Sequence, residues 1–286
     1  MKKRAITALL FVAVMLGGLY SSRQSFVALF GVITGVCLWE FFNMVFDDQE
    51  GLKRNKIRIW MGVAFGMLPY LAVAILQLNI FGFTINQLFI SSFAFLPLIF
   101  FCFIFELFSK SETPFHNVAL ILLGITYLSI PFSMLNLIAF NDGIFNPNLT
   151  LGMLLLTWSN DTGAYLVGSQ IGKNKLLPRI SPKKTWEGFA GGVAMTFLVA
   201  YGLSQYFHEI NTKDWLVVAG LVSTFGTVGD LVESMLKRSF DAKDSGTLLP
   251  GHGGFLDRFD AFVFLIPFAT TYILWARLAS NGFMTP

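Results

Sequence analysis

Apolar runs long enough to cross a lipid bilayer make up most of this chain. Of its 286 residues, 55% are hydrophobic and 13% are charged, and 32 are Phe. A hydrocarbon core of about 30 Å is crossed by roughly 20 residues of α-helix. Few segments of such a chain could form a water-soluble surface, so the sequence predicts an integral membrane protein.

A scan for runs of this length gives nine candidate spans. They are approximately residues 5–20, 26–46, 59–78, 89–108, 117–140, 149–171, 186–206, 214–236 and 258–279. The first is short and the fourth is interrupted by Pro97, so eight spans remains an alternative. No repeat or soluble linker separates the runs, which indicates a single membrane domain over residues 1–286. Within it we expect N-terminal helices in 1–116 and catalytic helices with cytoplasmic loops in 117–286.

Basic residues predict the orientation, because Lys and Arg are retained on the cytoplasmic side during insertion. Nine spans with a cytoplasmic N-terminus place 17 of the 20 Lys and Arg residues in inner segments. The three exceptions are Arg23, Lys213 and Arg277. The N-terminus is therefore expected inside and the C-terminus outside, so that the two most polar loops face the cytoplasm and its water-soluble substrates.

The sequence gives little support to a cleaved signal peptide, to a cysteine-based disulfide or zinc site, or to nucleic-acid binding. No small-residue cleavage site follows the N-terminal basic cluster, so we expect an uncleaved first span. Cys37 and Cys102 lie far apart in apolar spans, which favours neither a disulfide framework nor a zinc site. The net charge of +3 arises from the inner loops and suits an anionic lipid surface, so no nucleic-acid partner is predicted.

Acidic residues appear within or at the ends of three spans after Asn117, whereas the earlier spans carry only Glu40 and Glu106 near their inner ends. Asp161, in WSNDTGAYLVGSQIGKNK, lies about 15 Å from the inner end of its span. A carboxylate there costs on the order of 3 kcal/mol to insert, so it should face a partner or a wet cavity. Asp161, Tyr165 and Gly168 share one helical face. A packing face held by one buried hydrogen bond is the structural alternative.

The stretch GKNKLLPRISPKKTWEGFAGG is predicted as an inner loop that turns at Ser181 and Pro182 and enters a helix near Thr185 or Trp186. Unpaired backbone N–H groups at a helix start attract anions, and Lys183 and Lys184 stand beside them. The stretch is a candidate phosphate cradle, although basic inner loops are also ordinary topology signals.

A third stretch, FGTVGDLVESMLKRS, places Gly226, Asp230, Glu233, Ser234 and Lys237 along one helical stripe. The loop after it supplies Lys243, Asp244, a Gly-rich turn around His252, and then Asp257 and Asp260. Acids at a helix start are often only caps, which is the structural interpretation of the last two.

Carboxylates without a Cys or His cluster indicate a hard cation, most readily Mg²⁺, bound together with substrate phosphates. A phosphate oxygen attacking a nucleoside triphosphate fits this set, since such a nucleophile needs no proton removed. The protein would align the reactants and neutralise charge.

SMLKRSFDAKDSGTLLPGHGGFLDRFD, from Ser234 to Asp260, resembles the C-terminal signature of the phosphatidate cytidylyltransferases, also called CDP-diacylglycerol synthases. DTGAYLVGSQIGKNK and SPKKTWEG resemble the same family, so the likeness covers roughly residues 160–260. It implies an all-α, polytopic, homodimeric enzyme of the bacterial inner membrane that makes CDP-diacylglycerol and pyrophosphate from CTP and phosphatidate.

The resemblance also implies roles for individual residues. Mg²⁺ would be held by Asp230 and Asp257, with K⁺ as a possible second cation. The predicted catalytic residues are Asp230, Asp257, Lys237, Lys243, Asp244 and Asp260. The predicted substrate-binding residues are Asp161, Ser181, Lys183, Lys184, Ser234, Arg238, His252, Gly253, Gly254 and Arg258.

Three alternative functions remain open. A proton-coupled transporter also buries acids, but it typically shows repeats and broken helices at the midplane. A noncatalytic scaffold would not explain the polar C-terminal loop. A nearer alternative is a related cytidylyltransferase or lipid kinase with a different acceptor, such as an ether lipid.

Overall fold

The structure is a computed structural model, and it describes residues 2–46, 52–80, 82, 95–141, 144–248 and 253–280. The described chain is predominantly helical, with helices at all nine predicted spans. They are α1 (Lys2–Tyr20), α2 (Arg23–Val45), α3 (Leu52–Leu78), α4 (Phe95–Ser109), α5 (Pro114–Gly124), a π-helical turn (Ile125–Ser129), α6 (Ile130–Ala139), α7 (Asn148–Ile171), α8 (Trp186–Ser204), α9 (Thr212–Ser239) and α10 (Leu256–Ser280).

Five described helical segments are long and apolar enough to cross a membrane: Arg23–Val45, Arg54–Leu78, Pro114–Ala139, Thr212–Ser239 and Leu256–Ala279. Each lies at a predicted span. Shorter apolar helices cover Leu9–Tyr20 and Pro97–Ser109. An all-α membrane protein is therefore confirmed, while the number of nine spans and the side of the N-terminus stay predictions.

Two short hairpins interrupt the helices. Strands β1 (Phe140–Asn141) and β2 (Ile144–Phe145) pair antiparallel. Strands β3 (Lys175–Leu177) and β4 (Ser181–Thr185) also pair antiparallel, with Lys175 opposite Thr185 and Leu177 opposite Ser181. The segment predicted as a loop around Lys183 and Lys184 is thus the second strand of a hairpin that leads directly into α8. The predicted helix start is confirmed, because Thr185 is the N-cap and Trp186 the first helical residue.

The chain divides into two compact units. One comprises Met1–Leu137 with Ala242–Arg258, and the other comprises Ile138–Asp241 with Phe259–Pro286. The single-domain organisation and the division at residue 117 stay predictions.

The first unit has a core rich in phenylalanine. Phe26, Phe30, Phe41 and Phe42 of α2 are fully buried, and Phe26 packs on Phe30 with ring centroids 4.9 Å apart. Aromatic rings supply large buried areas and favour such tilted contacts. The α2 helix is thereby fixed at the centre of this unit.

Polar groups in the first unit are paired as well. Pro69 lies inside α3 and has no backbone N–H to donate within the helix. In the turn before Pro69, the Gly66 carbonyl accepts a hydrogen bond from the Ser129 hydroxyl. Buried Arg58 donates to both carboxylate oxygens of Glu106, with Nε–Oε1 at 2.5 Å and Nη2–Oε2 at 2.9 Å. Such bidentate pairing satisfies two charges that burial alone would penalise.

Candidate active site

A cavity of about 440 Å³ opens in the second unit between α7, the β3–β4 hairpin, α8 and α9. Charged and polar side chains reach it from α7, β4 and α9. Its lining residues are Asn160, Asp161, Ala164, Tyr165, Gly168, Ser169, Leu176, Lys183, Lys184, Thr185, Gly188, Phe189, Gly226, Thr227 and Asp230. A cavity of this size with convergent charges can hold a small anionic substrate.

Close packing of α7 against α8 forms one wall of this cavity. A Cβ added at Gly163 would lie 2.6 Å from the Gly191 carbonyl oxygen, and one added at Gly192 would lie 2.6 Å from Asn160 Oδ1. Small residues let two backbones approach in this way. The two helices therefore lie in close contact, and the predicted face of Asp161, Tyr165 and Gly168 lines the cavity.

The β3–β4 hairpin is fastened to the start of α8. Glu187, in the first turn, accepts from the backbone N–H groups of Lys173 at 3.1 Å and Asn174 at 3.2 Å. The Asn174 side-chain amide donates to it at 2.7 Å, and Thr185 Oγ1 accepts from the Gly188 N–H at 3.1 Å. These bonds fix the strand that carries the two cavity lysines.

Lysine and aspartate side chains meet inside the cavity. Lys184 Nζ forms an ion pair with Asp230 Oδ2, and both side chains are partly accessible. Asp161 is exposed on α7 and lines the same cavity. Asp260 interacts electrostatically with the negative charges of Asp230 and Asp161 and with the positive charge of Lys237. The second unit therefore gathers three acids with at least two lysines.

The stripe predicted along α9 is observed in part. Gly226 and Asp230 line the cavity. One turn further, Lys237 Nζ lies 2.5 Å from Oε2 of Glu233, which is fully buried. The i,i+4 spacing of helices brings this pair together. Glu233 thus lies within the helix packing rather than on the cavity wall.

The polar loop and the first turn of α10 belong to the first unit. Asp257 Oδ2 accepts from the backbone N–H groups of Ser245 at 3.0 Å and Gly254 at 2.8 Å. Gly253 has a φ of +81°, and a Cβ there would lie 2.7 Å from the same oxygen. Gly at this position is needed because few other residues adopt that backbone geometry. Asp257 therefore organises the loop in addition to any role with substrate.

The predicted site residues fall into three groups. Asp161, Lys183, Lys184 and Asp230 line the cavity. Others belong to the second unit without being cavity-lining residues, namely Ser181, Ser234, Lys237, Arg238 and Asp260. Those in the first unit are Lys243, Asp244, Gly253, Gly254, Asp257 and Arg258. His252 lies outside the described residues, and the pairing of Asp230 with Asp257 at one metal ion stays a prediction.

Comparison with known proteins decides the family. A family model described as "Cytidylyltransferase family" matches residues 2–276. The chain belongs to the cytidylyltransferase family. The match extends from α1 into α10, so the likeness to the family includes the N-terminal helices and is wider than residues 160–260.

Curated relatives of this cytidylyltransferase agree with the family match. A protein of Staphylococcus aureus (strain COL) named phosphatidate cytidylyltransferase is 36% identical over 275 residues, which cover 93% of this chain and 96% of the relative. A protein of the same name from Staphylococcus saprophyticus is 36% identical over 274 residues, with the same coverage. One from Staphylococcus haemolyticus is 44% identical over 161 residues, 56% of this chain and 60% of the relative.

The donor set of the cytidylyltransferase fits a hard cation. Among the described residues, no group of three or more His, Cys, Asp and Glu side chains is arranged to hold a metal ion by itself. Mg²⁺, however, is usually bound through one or two carboxylates plus substrate phosphates. One carboxylate oxygen of Asp230 is already in an ion pair with the Lys184 ammonium. The cavity thus offers an oxygen ligand where positive charge is stabilised.

Several residues that position the cytidylyltransferase site were not predicted to do so. In the sequence, Glu187 is only an acid in the first turn of a predicted helix, which is a common feature and does not indicate a specific role. Ser245 and Glu40 are 205 positions apart, yet Ser245 Oγ donates to Glu40 Oε2 at 3.1 Å. No local pattern could signal that contact, although a lone Glu near the end of an apolar run was a hint.

Proposed function

We propose that this nucleotidyltransferase transfers the cytidylyl group of CTP to phosphatidate. A phosphate oxygen of phosphatidate forms a bond to the CTP α-phosphorus, the bond from that phosphorus to the bridging oxygen of the β-phosphate breaks, and CDP-diacylglycerol and pyrophosphate result. The observation that carries this proposal is the 36% identity to phosphatidate cytidylyltransferases along 93% of the chain. The acidic and basic cavity supports the same chemistry.

The cavity lysines are the proposed triphosphate contacts. Lys183 and Lys184 precede the start of α8, where backbone N–H groups and the helix dipole favour anions. Ionic hydrogen bonds from such groups are stronger than neutral ones. They would hold CTP and stabilise the charge that moves onto pyrophosphate. Further contacts are proposed for Asp161, Ser181, Ser234, Arg238, His252, Gly253, Gly254 and Arg258.

Mg²⁺ is the proposed metal, with K⁺ as a possible second cation. Asp230 and Asp257 are the proposed Mg²⁺ ligands, and Lys237, Lys243, Asp244 and Asp260 complete the proposed catalytic set. When bound, Mg²⁺ would neutralise phosphate charge and polarise the phosphorus under attack. Because the nucleophile is already an anion, these residues need only bind and orient the two phosphates and balance their charge.

The proposed setting is the inner membrane of a bacterial cell. Nine spans with a cytoplasmic N-terminus account for 17 of the 20 Lys and Arg residues at the inner face. CTP would then reach the site from the cytoplasm, and phosphatidate would enter sideways from the inner leaflet. A homodimer is proposed on the strength of the family resemblance alone.

One experiment tests the reaction and the acceptor together. Purified protein in detergent is given labelled CTP, Mg²⁺ and, in separate reactions, phosphatidate, phosphatidylglycerol, diacylglycerol and an ether-lipid phosphate. We expect label in an organic-extractable product and stoichiometric pyrophosphate with phosphatidate only. Label appearing with the ether lipid but not with phosphatidate would overturn the assigned acceptor.

A further inference from the structure

A buried glutamate of the N-terminal helices holds the start of α10. Glu40 of α2 is 1% exposed. Its carboxylate accepts from the Ser245 hydroxyl at 3.1 Å and from the backbone N–H groups of Phe255 and Leu256, both at 2.9 Å. All four residues belong to the first unit. Three donors from the polar loop and α10 therefore converge on one acid from α2.

This arrangement replaces a local helix cap. The first N–H groups of a helix have no partner within it, and a side-chain acceptor in the residue before usually satisfies one of them. Phe255 stands immediately before α10 and has no such acceptor. Glu40 supplies two carboxylate oxygens instead, and negative charge is favourable at a helix start. A buried carboxylate would be costly without these donors, so the contact is strongly constrained on both sides.

Ser245 connects Glu40 to Asp257. Its hydroxyl donates to Glu40 and accepts from the Asp257 backbone N–H at 3.3 Å. Its own backbone N–H donates to Asp257 Oδ2 at 3.0 Å. One buried serine thus touches both acids, and Asp257 has its backbone and its side chain fixed by the same residue.

Glycines leave room for the two carboxylates. A Cβ added at Gly246 would lie 2.6 Å from Glu40 Oε1, and one added at Gly254 would lie 2.5 Å from Glu40 Oε2. Both distances are shorter than the contacts that a Cβ atom makes in close-packed proteins, so a side chain at either position would collide with the Glu40 carboxylate. The loop is therefore shaped around Glu40, and Gly246 and Gly254 leave the space that its carboxylate occupies.

We propose that Glu40 is a positioning residue that sets the Asp257 carboxylate through Ser245 and the capped start of α10. The proposal rests on the proposed role of Asp257 as a Mg²⁺ ligand. It gives α2 a part in the reaction, whereas the sequence showed Glu40 only as an acid near the inner end of an apolar span. A glutamate that merely stabilised the fold would lower the apparent kcat through the amount of folded protein and would leave the CTP KM and the Mg²⁺ dependence unchanged.

Three variants test the link. Glu40→Gln keeps the shape but loses the charge and one acceptor. Glu40→Asp keeps the charge at a shorter reach. Ser245→Ala removes the hydroxyl that links Glu40 to the Asp257 backbone and keeps the backbone N–H bond to the Asp257 carboxylate. Glu106→Gln is the matched control, because Glu106 is also a buried acid of the first unit but pairs with Arg58.

Two readouts separate positioning from folding. The Mg²⁺ concentration for half-maximal activity should rise about 10- to 100-fold in Glu40→Gln, by the usual effect of losing a group that orients a metal ligand. Glu40→Asp and Ser245→Ala should show smaller rises, and Glu106→Gln none. Hydrogen exchange in protein without metal or substrate should quicken about tenfold at Phe255 and Leu256 in Glu40→Gln. Exchange in α9 should stay unchanged.

The outcomes distinguish this proposal from the proposed metal role. Wild-type activity that needs no divalent cation would contradict the role of Mg²⁺ itself. If the wild type depends on Mg²⁺ and Glu40→Gln needs the same Mg²⁺ concentration for half-maximal activity, the proposed role of Glu40 is overturned. If Glu40→Gln does not fold in detergent, Ser245→Ala decides, since it removes no buried charge. An unshifted Mg²⁺ requirement in that variant would equally overturn the proposal.

Discussion

Lys184 and Asp230 form an ion pair whose side chains are 26% and 35% accessible. Pairs that reach solvent contribute only about 0 to 1 kcal/mol to stability, because water and mobile side chains offset the attraction. Such a pair can exchange partners at little cost. Its carboxylate is then available to a metal ion and its ammonium to a phosphate, so the observed contact is compatible with both proposed roles.

The role of Asp230 is tested by Asp230→Asn, which keeps size and removes charge. We expect activity with CTP and phosphatidate to fall by about 10²- to 10³-fold, since charge stabilisation at a reacting centre is worth this much. The folded fraction, measured by thermal unfolding in detergent, should remain near that of the wild type. Asp214→Asn, at the other end of α9, is the control and should retain activity. Equal losses in both variants would remove Asp230 from the metal site.

The two cavity lysines should differ in their effects. Lys183 is exposed and should act mainly in binding, so Lys183→Ala should raise the CTP KM about tenfold with little change in kcat. Lys184→Ala also strips Asp230 of its ion-pair partner and should lower kcat as well. Lys173→Ala, an exposed lysine just before the hairpin, is the control for general charge. Initial rates over a range of CTP concentrations distinguish these cases, and an unchanged KM in Lys183→Ala would argue against a nucleotide contact.

Residue patterns in the sequence predicted the acids that line the cavity more readily than the residues that hold site elements in place, such as Glu40. Asp161 and Asp230 stand out because an acid within an apolar run is costly and therefore informative. Glu40 looked equally unusual, but its partners lie more than 200 positions away in the chain. Periodicity reports only neighbours along one helix. The role of such a residue becomes visible only when the tertiary fold is known.

At the scale of elements, the α7–α8 contact determines the shape of the cavity wall. Gly163→Ala would place a methyl group 2.6 Å from the Gly191 carbonyl oxygen, and backbone cannot move aside cheaply. Overpacking of this kind costs about 1 to 3 kcal/mol. We expect a lower unfolding temperature in detergent and a raised CTP KM.

Gly202→Ala is the matched control for this prediction. Gly202 lies in α8 with open space around its added Cβ, so the substitution should be neutral or slightly stabilising, as Ala is the better helix former. If Gly163→Ala behaves like Gly202→Ala, close packing of the two helices does not shape the site.

Most described ends of the long apolar elements were predictable to within a few residues, although α3 begins at Leu52 rather than near residue 59. Short polar elements were not predictable. The predicted span 214–236 corresponds to α9 at Thr212–Ser239, because a run of that length leaves little choice of ends. The β3–β4 hairpin was missed because its strands have three and five residues and carry lysines and a proline. Its stability comes from cross-strand pairing and from Glu187, which local composition does not reveal.

At the scale of the whole molecule, the distribution of charge and the chemistry make one joint prediction about sidedness. The cavity lysines belong to a segment that the basic-residue rule assigns to the cytoplasm, where CTP is available. Arg23 and Lys213, both exposed, belong to segments assigned to the opposite side. If the orientation were reversed, the proposed site would face away from its nucleotide.

Cysteine labelling in intact cells tests this sidedness. Cys37 and Cys102 are buried and can be replaced by Ala to give a background without thiols. In that background, Arg23→Cys and Lys213→Cys should react with a membrane-impermeant maleimide applied outside spheroplasts or protoplasts. Lys173→Cys should react only after the membrane is opened, and each variant should first be shown to retain cytidylyltransferase activity. Outside labelling of Lys173→Cys would contradict the cytoplasmic site, because the hairpin with Lys183 and Lys184 would then be cut off from CTP.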